Sequence, residues 1–459
     1  MYQRPLQYQS LKTVLLHMEA NVRFQISQQM PSIRKVEKLV PLKINRLDFD
    51  YYKVTINDTE YKLRIHRQYS SEIAPNRVEE ESYEVFDFDE FGFGLHEDNH
   101  VLLPGDVPLS NKTPVQIWPN EEEHERMWRR ILGNYKKALE LRAELESKGQ
   151  TYKDYLDNFP RNPDDPNEEE VRRIVCYDDE SLKNTIETCL DELMPYDYRR
   201  SNTKPPYKHE FRLKITKGES VKVQRSEYTK KSYEALKHLN QVFFGGRAMP
   251  IFVENFKIAD YSLVLRVPVG FNLGVKTLEV LTDGDNLENL YRIVENSENL
   301  DTLFLSYDDF FDLPPANGLA QKARKLVISY SHLDLQDAKD FIRQFQNPFL
   351  CFNVTGRGYT ALDYFVLILH WLNENRPIGS KLYIGTENWE TAEEVLKLVS
   401  NSYENSQGTE RCITVNISES KKLGIFYEPF EEKHVSHLVY NQFADIRSKW
   451  IMKMRVMEI

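Results

Sequence analysis

The chain has few cysteines, no massed positive charge and no long apolar run, and each shortage narrows what it can be. Cysteine occurs only at Cys176, Cys189, Cys351 and Cys412 in 459 residues, and no two of these form a C-x-x-C pair. That removes the usual zinc-ribbon and thioredoxin-type signals. Cys351 and Cys412 lie in apolar stretches, as expected of reduced core thiols. The longest apolar run, Ala361–Leu372, contains Asp363 and His370 and is too short to cross a bilayer. The first residues carry Gln3, Arg4, Gln7, Gln9 and Ser10 where a secretory leader would be apolar. The expectation is a cytoplasmic or nuclear protein with no membrane partner. The net charge is −11, and the nearest approach to a basic block is Arg447, Lys449, Lys453 and Arg455, interleaved with apolar residues. Nonspecific nucleic-acid binding depends on neutralising phosphates, so no nucleic-acid partner is expected.

Motifs of catalysis are scarce as well. There is no G-x-x-x-x-G-K-[ST] loop and no G-x-S-x-G elbow. His96-Glu97-Asp98-Asn99-His100 matches H-E-x-x-H, but Gly92 and Gly94 precede it and Pro104-Gly105 follow. A zinc site of that kind needs a helix that places both histidines on one face. The match is read as chance, with no metal expected at His96 and His100. An enzyme would need polar groups converging on a pocket, for example around His96, His100 and His124. Gly356-Arg357-Gly358 lacks the rest of a nucleotide fingerprint and is read as a turn. No catalytic residue, cofactor or metal ligand is assigned, and the chain is read as a non-enzyme.

What the sequence does have is a repeat. The pattern [LI]-x-[LVIF] recurs at Leu278–Val280, Leu303–Leu305, Leu326–Ile328, Leu350–Phe352, Leu382–Ile384 and Ile413–Val415. Apolar residues at helical spacing follow four of these short strands. The sets are Leu287/Leu290/Tyr291/Val294, Leu335/Ala338/Phe341/Ile342/Phe345, Leu362/Phe365/Val366/Leu369/Leu372 and Trp389/Ala392/Val395/Leu396/Val399. Strand plus helix at a near-fixed period reads as an irregular leucine-rich-like solenoid. Stacked units of this kind leave a broad face open.

The predicted organisation is mixed α/β. Residues 1–40 form a helical segment, with Leu11, Val14, Leu15 and Met18 as one stripe. Residues 41–118 hold strands, a hairpin of Val54–Ile56 with Tyr61–Ile65, and an acidic loop. Residues 119–170 are a charged helical insertion and a linker, with the helix over 120–148 capped by Asn120 and ended by Gly149. That helix is either docked on the domain or part of a short coiled coil. Residues 171–275 continue the sheet, and 276–459 are the solenoid. A duplication joins the halves: Val40–Phe49 and Met249–Ile258 both read apolar-Pro-apolar-x-apolar-x-x-apolar-x-apolar.

The opening also carries a recognisable pattern. It runs Pro5-Leu6, Tyr8, Ser10-Leu11-Lys12, Val14-Leu15, Met18, Arg23, Ser27, Pro31-Ser32-Ile33, Glu37-Lys38, Val40-Pro41-Leu42, Ile44 and Leu47. Further stretches are Pro104-Gly105-Asp106-Val107, Tyr198-Arg199-Arg200-Ser201-Asn202 and Met249-Pro250-Ile251. Together they resemble a large family expanded in nematodes, whose members pair an F-box-like start with a domain of unknown function. The resemblance covers residues 4–282. It implies an F-box-like helical cap that grips a Skp1-type adaptor, with Leu6, Leu11, Val14, Leu15 and Met18 facing it. The leucine-rich-like part would then hold a substrate protein for a cullin-type ubiquitin ligase. The alternative is a binding or regulatory scaffold with no ligase connection, in which these helices only cap the sheet.

In an L-x-L strand the flanking residues point inward and the middle one outward. The outward positions are Glu279, Phe304, Val327, Cys351, Tyr383 and Thr414. They are expected to line one partner-binding column, unless the C-terminal segment or the long helix folds over them as core.

Overall fold

The computed structural model describes residues 8–69, 87–95, 101–109, 121–150, 166–259, 264–281, 287–294, 300–307, 318–330, 334–354, 359–431 and 448–459. Among the described residues the chain opens with helices α1 (Tyr8–His17), α2 (Ala20–Gln29) and α3 (Arg34–Lys38), with a 3-10 turn at Pro31–Ile33. Strands β1 (Leu42–Asp50), β2 (Lys53–Ile56) and β3 (Thr59–Tyr69) follow as an antiparallel meander. Short strands β4 (Asp87–Phe88), β5 (Gly94–Leu95) and β6 (Val107–Pro108) precede three helices, α4 (Glu121–Ser147), α5 (Pro166–Ile174) and α6 (Asp179–Ser201). The hairpin β7 (Tyr207–Lys217) and β8 (Ser220–Glu227) joins the sheet beside β3. Next come α7 (Ser232–Phe244), β9 (Ile251–Ile258), β10 (Val264–Leu265), which pairs with β6, and β11 (Leu273–Leu281). Helices and strands then alternate: α8 (Leu287–Val294), β12 (Thr302–Tyr307), α9 (Gly318–Lys322), β13 (Lys325–Tyr330), α10 (Leu335–Gln344), β14 (Phe349–Val354), α11 (Ala361–Asn373), β15 (Lys381–Thr386) and α12 (Trp389–Ser402). Strands β16 (Gln407–Thr409), β17 (Cys412–Asn416), β18 (Lys421–Pro429) and β19 (Trp450–Glu458) complete the set.

Fifteen of these strands form one open sheet in the order β16-β17-β18-β19-β15-β14-β13-β12-β11-β9-β1-β2-β3-β7-β8. The middle, from β1 through β15, is parallel, and both flanks are antiparallel. From β11 to β15 each strand lies beside its predecessor on the same side. Right-handed crossovers in such a progression put every connecting helix on one face. The packing agrees: Leu290, Ala338, Phe341, Ile342, Leu367, Trp371, Val395 and Val399 share one core with Leu278, Leu303, Leu326, Leu350 and Leu382.

Five of the six L-x-L segments lie in β11 to β15. The sixth, Ile413–Val415, is a strand but not a further repeat. β17 belongs to the antiparallel flank, and β18 and β19 separate it from β15. β19 takes the place because its alternating Met452, Met454 and Val456 complete the helix-side core. The strand-helix units are therefore the centre of a longer open sheet rather than a free solenoid. The expected linker also differs, since α5 begins at Pro166, a residue suited to the first helical position. The long helix is docked: α4 packs on α5 and α6 around Ala138, Ile174, Val175 and Leu182.

The duplicated segments lie side by side. Leu42, Ile44, Leu47 and Phe49 of β1 pair in register with Ile251, Val253, Phe256 and Ile258 of β9. In both strands the buried positions skip two residues after Ile44 or Val253, and β11 does the same between Val275 and Leu278. All three strands break together, so the shared register survives the change of face. Side chains satisfy the backbone there. Asn57 Oδ1 accepts from the Asn45 and Arg46 N–H groups at 2.9 and 3.3 Å, and Asn255 Nδ2 donates to the Asn45 carbonyl at 3.2 Å. Asn57 itself has φ 55°, the left-handed turn geometry that asparagine tolerates in a tight β2–β3 connection.

Candidate functional site: the helical cap and the far face of the sheet

The N-terminal helices sit on the helix side of the sheet. Phe24 of α2 packs on Phe243 and Phe244 of α7 at ring distances of 5.0 and 6.1 Å. Beside it Arg23 is buried and fully engaged. It donates to Glu37 Oε1 at 3.0 Å and to the carbonyls of Pro41, Glu37 and Val40 at 2.7, 3.0 and 3.0 Å. Arg247 reaches the same carboxylate at 2.8 Å. A guanidinium stays charged, so burial demands this many acceptors. Burial still pulls the pKa values of both arginines down, while Glu37 opposes the shift.

The residues expected to face an adaptor differ in exposure. Leu15 is 1% exposed and belongs to the core, Leu11 and Met18 are half-buried, and Val14 is 43% exposed. Leu6 lies outside the described residues. The stripe Leu11, Val14, Leu15 and Met18 thus spans both the buried and the exposed side of α1. Tyr8, Leu16, Val22, Met30 and Leu39 are also exposed.

On the far face, Glu279, Phe304, Val327, Cys351 and Tyr383 form a single cross-strand row in register. The row continues to Lys257 and Asp48 in one direction and to Lys453 and Phe426 in the other. Thr414 is on the same face but off the row, opposite Gly424. Phe304, Val327 and Cys351 are buried in a second, smaller core with Leu281, Phe430 and Ile451, and Phe349 and Tyr383 pack against it. Phe349 and Tyr383 meet edge to face at 4.8 Å. Lys453 lies 4.9 Å from the Tyr383 ring centre and pairs with Glu428. Burial pushes the Cys351 thiol up to about 12, in keeping with its packing in this core.

Two histidines are tied into packing. His124 Nδ1 lies 2.7 Å from the Tyr196 hydroxyl, and its Nε2 accepts from Trp128 Nε1 at 2.9 Å. His209 stacks on Phe88 at 4.4 Å, and burial followed by the nearby Arg67 charge lowers its pKa to about 4. His96, His100 and Gly356–Gly358 lie outside the described residues. Among the described residues, no group of three His, Cys, Asp or Glu side chains converges on a metal-sized site. No described helix is long and apolar enough to cross a membrane.

A mixed α/β protein with an open sheet, helices along one face and a second apolar core on the other is thus defined. Residues 231–388 match the family described as Domain of unknown function (DUF3557). The matched span starts at the cap of α7 and stops just past β15, so it takes in β9 and the whole run of parallel strands from β11. No curated protein and no solved structure matches the chain.

Proposed function

We propose that this chain is a non-enzymatic protein-recognition protein, whose N-terminal helices dock a Skp1-type adaptor and whose sheet carries a substrate protein to a cullin-type ubiquitin ligase. The observation that carries this reading is the crowding of exposed apolar side chains on the cap. Tyr8, Val14, Leu16, Val22, Met30 and Leu39 are all at least 39% exposed within 32 residues of chain. Contiguous exposed apolar patches mark interaction sites, and this concentration in one short stretch of chain supports a docking surface there. A second reading has its own support: a regulatory scaffold without a ligase partner, in which α1 to α3 only close the sheet. Buried Leu15 and the Arg23–Glu37–Arg247 cluster favour it.

The test is a pulldown of a purified Skp1-type adaptor by the full chain, run beside a melting curve. Wild type binds. Val14→Asp abolishes binding and leaves the melting temperature unchanged, because Val14 is exposed and a carboxylate there stays in water. An adaptor that the wild-type chain never retains would leave the scaffold reading standing.

A further inference from the structure

Beside the buried row of the far face runs a second row that is not sealed. Lys325, Phe349, Lys381, Arg455, Gly424 and Thr414 stand in register across β13, β14, β15, β19, β18 and β17. Leu326, Leu350, Leu382 and Met454, each one residue away, belong to the helix-side core. Side chains alternate along a strand, so the row itself points to the far face. Arg455 is exposed, and Lys325, Phe349 and Lys381 are half-buried.

The charges in this row are arranged against stability. Lys381 and Arg455 are direct partners across β15 and β19, and like charges so placed destabilise a sheet. Among the described residues neither has a carboxylate partner. Lys325 is better served, since Asp301 reaches it at 3.2 Å, but the same carboxylate also holds Arg324 at 2.6 Å. Glu428, the acid near β19, is taken by Lys453. Gly424, beside Arg455 on the other flank, contributes no side chain. A chain with net charge −11 thus keeps two facing cations unneutralised on one face. Phe349 lies between Lys325 and Lys381 and is steadied edge to face by Tyr383 at 4.8 Å.

We infer that this row binds an extended segment of another protein with the pattern acidic-x-apolar-x-acidic, laid across the strands. Neighbouring strands are about 4.8 Å apart, so Lys325 to Arg455 spans about 14 Å over three intervals. Alternate residues of an extended chain share a face and lie about 7 Å apart, so the three key side chains span about 13 Å. The first carboxylate meets Lys325, the apolar side chain rests on Phe349, and the last carboxylate sits between Lys381 and Arg455. Two cations on one carboxylate turn their mutual repulsion into selectivity for an acid. The inference rests on the substrate-holding half of the function proposed above and names its substrate class. It uses no residue of α1, so the adaptor pulldown and this test fail independently.

The experiment titrates the full chain into a fluorescent, end-blocked peptide, Glu-Glu-Ser-Leu-Ser-Glu-Glu, and reads anisotropy. Counterparts carry lysine for every glutamate, or serine for the leucine. The glutamate peptide should bind, the lysine peptide should not, and loss of the leucine should weaken binding. Carbodiimide coupling of the bound peptide, mapped by mass spectrometry, should link its glutamates to Lys325 and Lys381. Arg455→Glu should weaken binding by about tenfold or more, because it replaces an attraction by a repulsion. The same change sets a carboxylate opposite Lys381, so the melting temperature should hold or rise, which separates lost recognition from lost folding. The inference fails if no peptide binds, if the acidic and basic peptides bind alike, if Arg455→Glu keeps full affinity, or if the links fall on other lysines. Tighter binding of a single-stranded RNA oligonucleotide than of the glutamate peptide would overturn it, as would self-association of the chain that Arg455→Glu abolishes.

Discussion

Glu37→Ala is expected to lower stability by about 3–5 kcal/mol, the cost of removing one partner from a buried charge cluster. Among the described residues, Glu37 is the carboxylate bonded to both Arg23 and Arg247, whose side chains are 1% and 4% exposed. Without it two guanidiniums remain buried with only carbonyl acceptors, and they repel one another. The cluster joins α2, α3 and the turn after α7, so its loss frees the cap from β1 and β9. Urea denaturation followed by circular dichroism measures the change. Glu37→Gln, which keeps the shape and one acceptor, should recover part of the loss. A cost below about 1 kcal/mol, typical of exposed pairs, would show that the cluster is hydrated and the cap loosely held.

Trp371→Ala should cost a similar ~3–5 kcal/mol, for a different reason. Trp371 is among the largest fully buried side chains and lies on α11, between α10 and α12. The helix cannot slide to fill the void, because the buried Tyr364 hydroxyl donates to the Gly385 carbonyl of β15 at 2.6 Å. The deleted indole therefore leaves a cavity rather than a collapsed site. The same urea titration reads it, and a small effect would mean that α11 repacks freely against the parallel strands. This loss falls within the matched span 231–388, whereas the Glu37 loss falls mainly outside it.

The parallel centre was legible because its strands and helices announce themselves locally. Leu303, Leu305, Leu326 and Ile328 fix one buried face, and the helical spacing of Ala338, Phe341 and Ile342 fixes the side that covers it. The β1–β9 partnership was legible as a repeated decapeptide, though not that the copies would touch. The insertion of β19 beside β15 was not, since it joins residues far apart in the chain and no local pattern encodes such a pairing. Burial of the far-face row did have a signal. Leu303-Phe304-Leu305, Leu326-Val327-Ile328 and Leu350-Cys351-Phe352 are apolar at the middle position too, which is how strands covered on both faces read. For the cap, the stripe in α1 was visible but its phase was not. Leu15 and Val14 are neighbours in sequence, and only the tertiary contact with the sheet decides which one turns inward.

The organisation rests on the two copies of the decapeptide lying side by side, since that pairing joins the N-terminal meander to the parallel strands in one sheet. Lys43 and Phe252 are exposed, opposite each other in β1 and β9, and distant in sequence. A Lys43→Cys/Phe252→Cys variant, oxidised mildly and mapped by peptide mass spectrometry, tests the pairing directly. A 43–252 disulfide should form readily, and the displaced pair Lys43→Cys/Glu254→Cys should form little. No 43–252 link, or preferential linkage in the displaced pair, would contradict the continuous sheet.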